Sequence, residues 1–508
     1  MYDQRSSNVD ANLVLTYSGQ FGNHFLNGAL GGNLIQDKFS NEGYSVIGFP
    51  SGSMDYISFG KEFENQTAEG TEGVSRLLGA FLNVNYTWNN IYMVDVSGRL
   101  DGSSQFGSDK RVAPFWSAGI GWNVHNESFF ESAKSIVNHL KLSFNVGSLG
   151  KASFEPYQAQ TMFQYYKGQW YANGVGATLV GMGNKDLSWE KTTSYDANFE
   201  IQFLDSRISF DATYYYKKTK DLLSDITLPL SNGFETYKDN LGVLENKGYE
   251  LSLRGWPIRT KDLNISLYAT IAHNKNVIKE ISQGLQSYND SIDKDQASSA
   301  EESRKPRVQF KEGQSTTAIY AVRSLGINPA NGKEVYLDRF GNTTYTWNAL
   351  DKFVCGDTEP KVSGSFGLNG DYKGFNLSLN FLYQCGGQVY NSTLVDRVEN
   401  ANLRFNVDKR VLSDRWTKSG DKAFFKDIKD NSVTQVTSRF VEDENSLEMK
   451  SISLSYTFSK EMLKNCFMDR LKLTFMMEDL FRVANVKRER GLDYPFARTF
   501  NFGLQVQF

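Results

Sequence analysis

The chain has 508 residues with 55 Lys+Arg against 58 Asp+Glu, a net charge of -3, so it lacks the basic excess of a nucleic-acid binder. Four His and three Cys are too few for a metal cluster or a disulfide framework, and no cofactor is implied. Aromatic residues make up 14% while Pro numbers only 9, which favours strands, and no apolar run approaches the ~18 residues of a transmembrane helix.

The chain opens on MYDQRSSNVD, without the basic start and apolar stretch of a secretory signal; an exported chain beginning here needs its address elsewhere. Fifteen strands are then predicted, near residues 11–17, 24–32, 80–88, 91–100, 117–124, 140–146, 195–203, 208–216, 246–253, 265–271, 361–369, 375–383, 448–458, 471–477 and 499–508. The signal is strict alternation. Tyr195, Ala197, Phe199, Ile201 and Phe203 share one face, as do Ile208, Phe210, Ala212, Tyr214 and Tyr216, and Ile452, Leu454, Tyr456 and Phe458.

Connections alternate as well. Short ones (18–23, 89–90, 125–139, 204–207, 254–264, 370–374, 459–470) separate long ones (33–79, 101–116, 147–194, 217–245, 272–360, 384–447, 478–498). Short turns on one rim and long loops on the other are the asymmetry of an outer-membrane barrel, apolar outside and wet within. An antiparallel sheet with one face on a protein core shows the same alternation, so length and loop asymmetry carry the assignment. A mean hydropathy of -0.46 is compatible with a barrel, whose lipid face hides in alternate positions. Trp88, Trp122 and Tyr383, at strand ends, are predicted girdle residues. The last strand places Phe500, Phe502, Leu504, Val506 and Phe508 on one face; Phe500, Phe502 and the terminal Phe508 resemble a barrel-assembly signal.

Six segments then resemble, in order, the SusC/RagA-type TonB-dependent transporters of Bacteroidetes outer membranes. They are VSGRLDGSSQFGSDKRVAPFWSAGIGWNVHNESFF (96–130), NKDLSWEKTTSYDANFEIQFLDSRISFDATYYYKKTKDLL (184–223), ENKGYELSL (245–253), GINPANGKEVYLDRFGN (326–342), GDTEPKVSGSFGLNGDYKGFNLSLNFLYQCGGQVYN (356–391) and SRFVEDENSLEMKSISLSYTF (438–458). The resemblance implies an all-β, transmembrane antiparallel barrel of 22 strands with an N-terminal plug and a SusD-like surface lipoprotein over its mouth. It implies TonB-driven import of oligosaccharides or peptides across the cell outer membrane.

On that resemblance, residues 1–508 are expected to form the C-terminal two-thirds of the barrel wall, with the plug, the TonB-binding box and seven strands missing. An open arc exposes unpaired edges to lipid. Either a second chain or segment supplies the missing parts and contacts the TonB complex, or the gene product is cut short.

Few residues invite chemistry. His24, His125, His139 and His273 fall on different hairpins, so neither a catalytic arrangement nor a metal site is predicted, and no enzyme is expected. DGSSQFGSDK (101–110) lacks the G-x-x-x-x-G-K-[ST] spacing and leads into a strand, so it reads as a loop rather than a phosphate site. Asp211 and Glu250 read as wet lumen carboxylates. In the loop MFQYYKGQWYANG (162–174), Tyr165, Tyr166, Trp170 and Tyr171 are the ligand candidates, able to stack on sugar rings or pack on a peptide. Self-packing, or docking on the lipoprotein, is the plainer reading of that loop.

SIDKDQASSAEESRKPR (291–307) reads as solvated and mobile, and the loop 384–447 as long enough for helical turns. Both loops are assigned to partner binding. Reflected about the turn at 370–374, Cys355 and Cys385 lie nearly opposite, which predicts close thiols or one disulfide, with Cys466 free in a turn. The leading expectation is thus the wall of an active importer, and the alternative is a passive, porin-like channel of 16 strands. An outer-membrane enzyme or a soluble all-β binding module is the third reading.

Overall fold

A computed structural model describes residues 2–50, 52, 56–64, 69–151, 156–171, 174–181, 183–227, 236–240, 242–464, 467–487 and 498–508. All fifteen predicted strands form. They are β1 (Tyr2–Phe21), β2 (His24–Gly43), β3 (Glu69–Trp88), β4 (Tyr92–Ser103) and β5 (Val112–Asn123). Next come β6 (Val137–Lys151), β7 (Glu190–Phe203), β8 (Ile208–Lys220), β9 (Val243–Arg259) and β10 (Leu263–Glu280). The last are β11 (Val362–Tyr372), β12 (Phe375–Tyr390), β13 (Val441–Thr457), β14 (Arg470–Ala484) and β15 (Phe500–Gln507). They build one antiparallel sheet whose spatial order is the chain order, and among the described residues β1 and β15 pair on one side only. Among the described residues no helix is long and apolar enough to cross a membrane.

Register explains why the alternation is so regular. Val94, Ile120, Phe144, Ala197, Tyr214 and Tyr249 stand directly opposite one another in a row across β4 to β9. One residue along, the row is Asp95, Gly119, Asn145, Asp196, Tyr215 and Gly248. At the other edge Leu377, Leu454, Phe475 and Phe502 align, beside Asn376, Ser455, Thr474 and Gly503. A slip of one residue would exchange the two faces, so burial of one of them pins the register. The outward side chains are nevertheless open, with Ile120 61% and Leu30 57% exposed, as suits a face covered by lipid rather than by protein.

Several strands outrun the membrane. β1, β2 and β3 each have 20 residues, whereas a tilted strand needs only ~9–11 to span. The excess lies at the long-loop end, where β1 and β2 pair from Tyr2↔Gly43 onward through segments that are polar on both sides. At the opposite rim the turns are tight. Lys373 and Gly374 carry φ of 44° and 92° between the paired ends Tyr372 and Phe375, the two left-handed positions of a type I′ turn.

Trp88 stacks on Tyr92 with ring centroids 5.7 Å apart at that rim, beside Trp122. Tyr383 donates from its hydroxyl to the Thr270 carbonyl at 2.8 Å. On β15, Phe502 and Phe500 pack on Phe475, and Phe508 stacks on Phe467 at 5.4 Å.

The predicted cysteine pair does not form. Both thiols are free. Opposite Cys385 stands Val362, because β11 begins there. Cys355 belongs to the separate strand Lys352–Asp357, paired with Ala318–Ile327 in a small loop sheet. Its Sγ donates to the Ile319 carbonyl at 3.3 Å, and burial pushes the thiol pKa up to about 11. Cys466 lies outside the described residues. In detergent solution at pH 7.5, maleimide is expected to label Cys385 and to leave Cys355 unmodified until the protein is denatured. Peptide mapping reads this directly. Because the thiolate is the nucleophile, Cys355 should gain reactivity only as pH nears its raised pKa; equal labelling of the two at pH 7.5 would refute the placement.

Candidate functional site

The inward face is a largely polar wall. Arg99 donates to Asp101 at 2.7 Å and to the Asn33 side chain at 2.8 Å. Ser97 and Ser117 share a hydrogen bond of 2.6 Å, Tyr215 donates to Asn274 at 3.1 Å, and Tyr268 donates to Asn380 at 2.6 Å. Asp211 stands opposite Glu200 and Glu250 opposite Thr213, both facing inward as predicted. Such side chains can hydrate and slide a polar solute, but they do not converge on a reacting atom.

The histidines are less scattered than the sequence suggests. The turn 124–136 folds back on β6, bringing the His125 and His139 rings to 4.4 Å between centroids. His139 Nε2 lies 3.6 Å from Glu200, which also receives Lys141 at 3.3 Å. Among the described residues, no group of three or more His, Cys, Asp or Glu is placed to hold a metal ion.

The long loops 281–361 and 391–440 fold into one module at the other end. Ser282 caps the helix α1 (Gln283–Ser298), its hydroxyl accepting from Leu285 N at 3.0 Å. The strands Ala318–Ile327, Glu334–Leu337, Thr343–Thr344 and Lys352–Asp357 make a four-stranded sheet. The second loop supplies helical turns at Leu394–Glu399, Lys409–Leu412 and Ser438–Phe440. Ile319, Ala321, Val395, Val398, Val436 and Phe440 form the shared core.

The stretch expected to be solvated and mobile is therefore folded. Its charges pair locally, Lys305 with Glu301 at 2.8 Å, and Asp293 reaches the buried Lys352 at 2.7 Å. Burial holds the Lys352 ammonium below the usual lysine range. Two inward-facing side chains of β10 tie the module to the lumen wall. Asn276 accepts from Thr316 N at 3.0 Å, and Asn274 donates to Glu359 at 3.3 Å.

A cavity of 490 Å³ opens in this module between the 333–347 and 426–435 segments, lined by Tyr345, Trp347, Lys333, Asp430 and Gln435 among others. Trp347 is pinned by its indole N–H on the Val436 carbonyl at 3.1 Å, and Tyr345 accepts from Asn328 at 2.7 Å. Aromatic faces beside both signs of charge suit a polar organic ligand. The sequence offered no local signal for it, because its two walls are about ninety residues apart.

The predicted aromatic loop is a hairpin, Met162–Tyr171 paired with Gly174–Gly181. Tyr165 stands opposite Ala177 and is 69% exposed, while Trp170 and Tyr171 stand opposite Val175 and Gly174. The side chains of Tyr166, Trp170 and Tyr171 lie outside the described residues. The Gly/Ser-rich loop is structural. Phe106 packs on Trp189 at 4.3 Å, and Gly107 N donates to Leu187 O at 3.0 Å. A Cβ at Gly107 would meet the Lys185 carbonyl oxygen at 2.1 Å, so this close approach needs glycine.

The chain matches the family model described as TonB dependent receptor-like, beta-barrel, over residues 1–408. It is 26% identical to the TonB-dependent receptor P3 of Formosa agariphila over 99% of this chain and 53% of that protein. It is also 26% identical to the TonB-dependent receptor SusC of Bacteroides thetaiotaomicron, over 88% of this chain and 45% of that one. Among solved structures, the RagAB peptide transporter superposes with a TM-score of 0.84 at 23% identity, covering 100% of this chain and 56% of the other. The chain thus spans about half the length of the curated relatives it matches.

Proposed function

Because the chain belongs to the TonB-dependent receptor-like β-barrel family of the outer membrane, we propose that it forms the barrel wall of an active importer of oligosaccharide or peptide nutrients. The observation that carries this reading is the pairing of a polar inward wall with a folded loop module moored to that wall through Asn274 and Asn276. The relative named SusC and the neighbour named as a peptide transporter support the class of activity. Tyr165, Tyr166, Trp170 and Tyr171 act as ligand contacts on the exposed hairpin, and a SusD-like surface lipoprotein docks on the long loops.

The edge strands β1 and β15 bear on the rest of the assembly. An unpaired strand edge in lipid costs several kcal/mol for each unsatisfied backbone group. Further strands, here expected to number seven and to come with a plug and a TonB-binding segment, complete the wall. No covalent chemistry falls to this chain in that scheme.

The test is the composition of the complex from native outer membranes, extracted in mild detergent through a tag on this chain. Intact-mass analysis should find a plug-bearing polypeptide or segment and a surface lipoprotein alongside it. In the same cells, Tyr165→Ala with Trp170→Ala should lower nutrient uptake while leaving the complex intact. This chain alone, forming a closed and conducting barrel, would instead establish the porin-like channel.

A further inference from the structure

The outward face carries a concavity at the short-turn rim. It has a volume of 680 Å³ and is lined by Tyr92, Ile120, Trp122, Phe144, Ala197 and Phe199 among others. It lies across β4 to β7, where the row Val94, Ile120, Phe144, Ala197 has its smallest side chain at Ala197. The groove is continuous with the apolar belt that meets lipid, and a void there would leave its lining atoms without contact partners. Hydrocarbon is what the surroundings offer.

The polar end of the groove is more specific. Tyr92 OH donates to Glu127 Oε1 at 2.6 Å and Trp122 Nε1 donates to the same oxygen at 3.0 Å. Among the described residues Glu127 Oε2 has no hydrogen-bond partner. Phe129, 65% exposed, meets Trp122 edge to face at 6.4 Å and extends the apolar wall into the turn. A carboxylate fixed by two donors at the mouth of an apolar groove, level with the aromatic girdle, is placed to accept from a cation at headgroup depth.

We propose that this groove is a binding site for a membrane lipid with a primary-amine headgroup, of the phosphatidylethanolamine type, in the leaflet on the short-turn side. One acyl chain lies over Ala197 between Ile120, Phe144 and Phe199, and the headgroup ammonium donates to Glu127 Oε2. The bound lipid fills the wall beside the turn 124–136, whose inner side holds the His125–His139 pair.

The complex as isolated from outer membranes is delipidated by detergent exchange and titrated with phosphatidylethanolamine or phosphatidylglycerol, with bound lipid counted by native mass spectrometry. One phosphatidylethanolamine should bind, at about ten-fold lower concentration than phosphatidylglycerol, as one charge-assisted hydrogen bond allows. Glu127→Gln should abolish that preference, and Ala197→Phe, which fills the groove from the lipid side, should weaken both lipids. Gel mobility without boiling confirms that each variant is a folded barrel. Equal binding of the two lipids by the unmodified protein overturns the headgroup assignment and with it the proposal. So does unaltered phosphatidylethanolamine binding by a folded Ala197→Phe barrel.

Discussion

Replacing Arg439 by methionine should unfold the loop module while leaving the transmembrane sheet intact. The Arg439 side chain is 4% exposed, between Glu334 at 9% and Glu399 at 0%. Its guanidinium reaches Glu334 Oε2 at 2.8 Å and Glu399 Oε2 at 2.6 Å, and donates to the Phe424 carbonyl at 2.6 Å. It also lies over the Phe440 ring at 4.4 Å. Removing one partner from a buried ion network strands the others, at a cost of about 3–5 kcal/mol. Here two carboxylates would be left inside the module core.

That cost is a large fraction of the stability of a small domain, roughly 5–15 kcal/mol. Hydrogen exchange and limited proteolysis should show residues 281–361 and 391–440 opening, with β11, β12 and β13 still protected. Arg439→Lys keeps a charge but loses the planar fork, so it should fall between the two. A methionine variant with wild-type protection over 281–361 and 391–440 would show that the network does not hold the module together.

Two neighbouring residues on β3 are expected to respond very unequally to the same substitution. Leu82 points outward, is 50% exposed, and stands opposite Leu30 and Gly98. Asn83 points inward, opposite Ala29 and Ser97. Leu82 lies six residues from Trp88 at the rim, which places it roughly 14 Å up a tilted strand, near the middle of the ~25 Å apolar band. Leu82→Arg should cost about 2–4 kcal/mol and Asn83→Arg much less, since only the first buries a charge in hydrocarbon.

The measurement is the folded fraction on unboiled gels across a urea series, with outer-membrane abundance alongside. Equal tolerance of the two arginines would mean that β3 does not separate lipid from water, and the face assignment would fall with it.

The transmembrane part was legible because the membrane writes it into the chain. Each residue between Leu377 and Tyr383 meets either hydrocarbon or water, so the period of two survives even though every strand is half polar. The same pressure makes the turns on one rim short, and the fifteen expected strands all appear in one sheet in chain order. The ends of those strands were not legible. Residues 2–10 of β1 and 33–43 of β2 are mostly polar on both faces, so little alternation marks them.

The loops obey long-range terms that no local pattern carries. Arg439 and Glu334 are 105 residues apart, and Asn274 and Glu359 are 85 apart. Cys355 and Cys385 looked paired by reflection about a turn, but the chain leaves the barrel wall before residue 362 and builds a second sheet. His125 and His139 meet because the 124–136 turn folds back, which the hairpin count could not register. By itself, then, the sequence determined the strands, their two faces and the membrane setting, since each is set by solvent acting on one residue at a time. Only the tertiary structure decided the loop module, its buried ion network and the groove beside Glu127, because each is made by residues that meet only after the sheet has closed the distance between them.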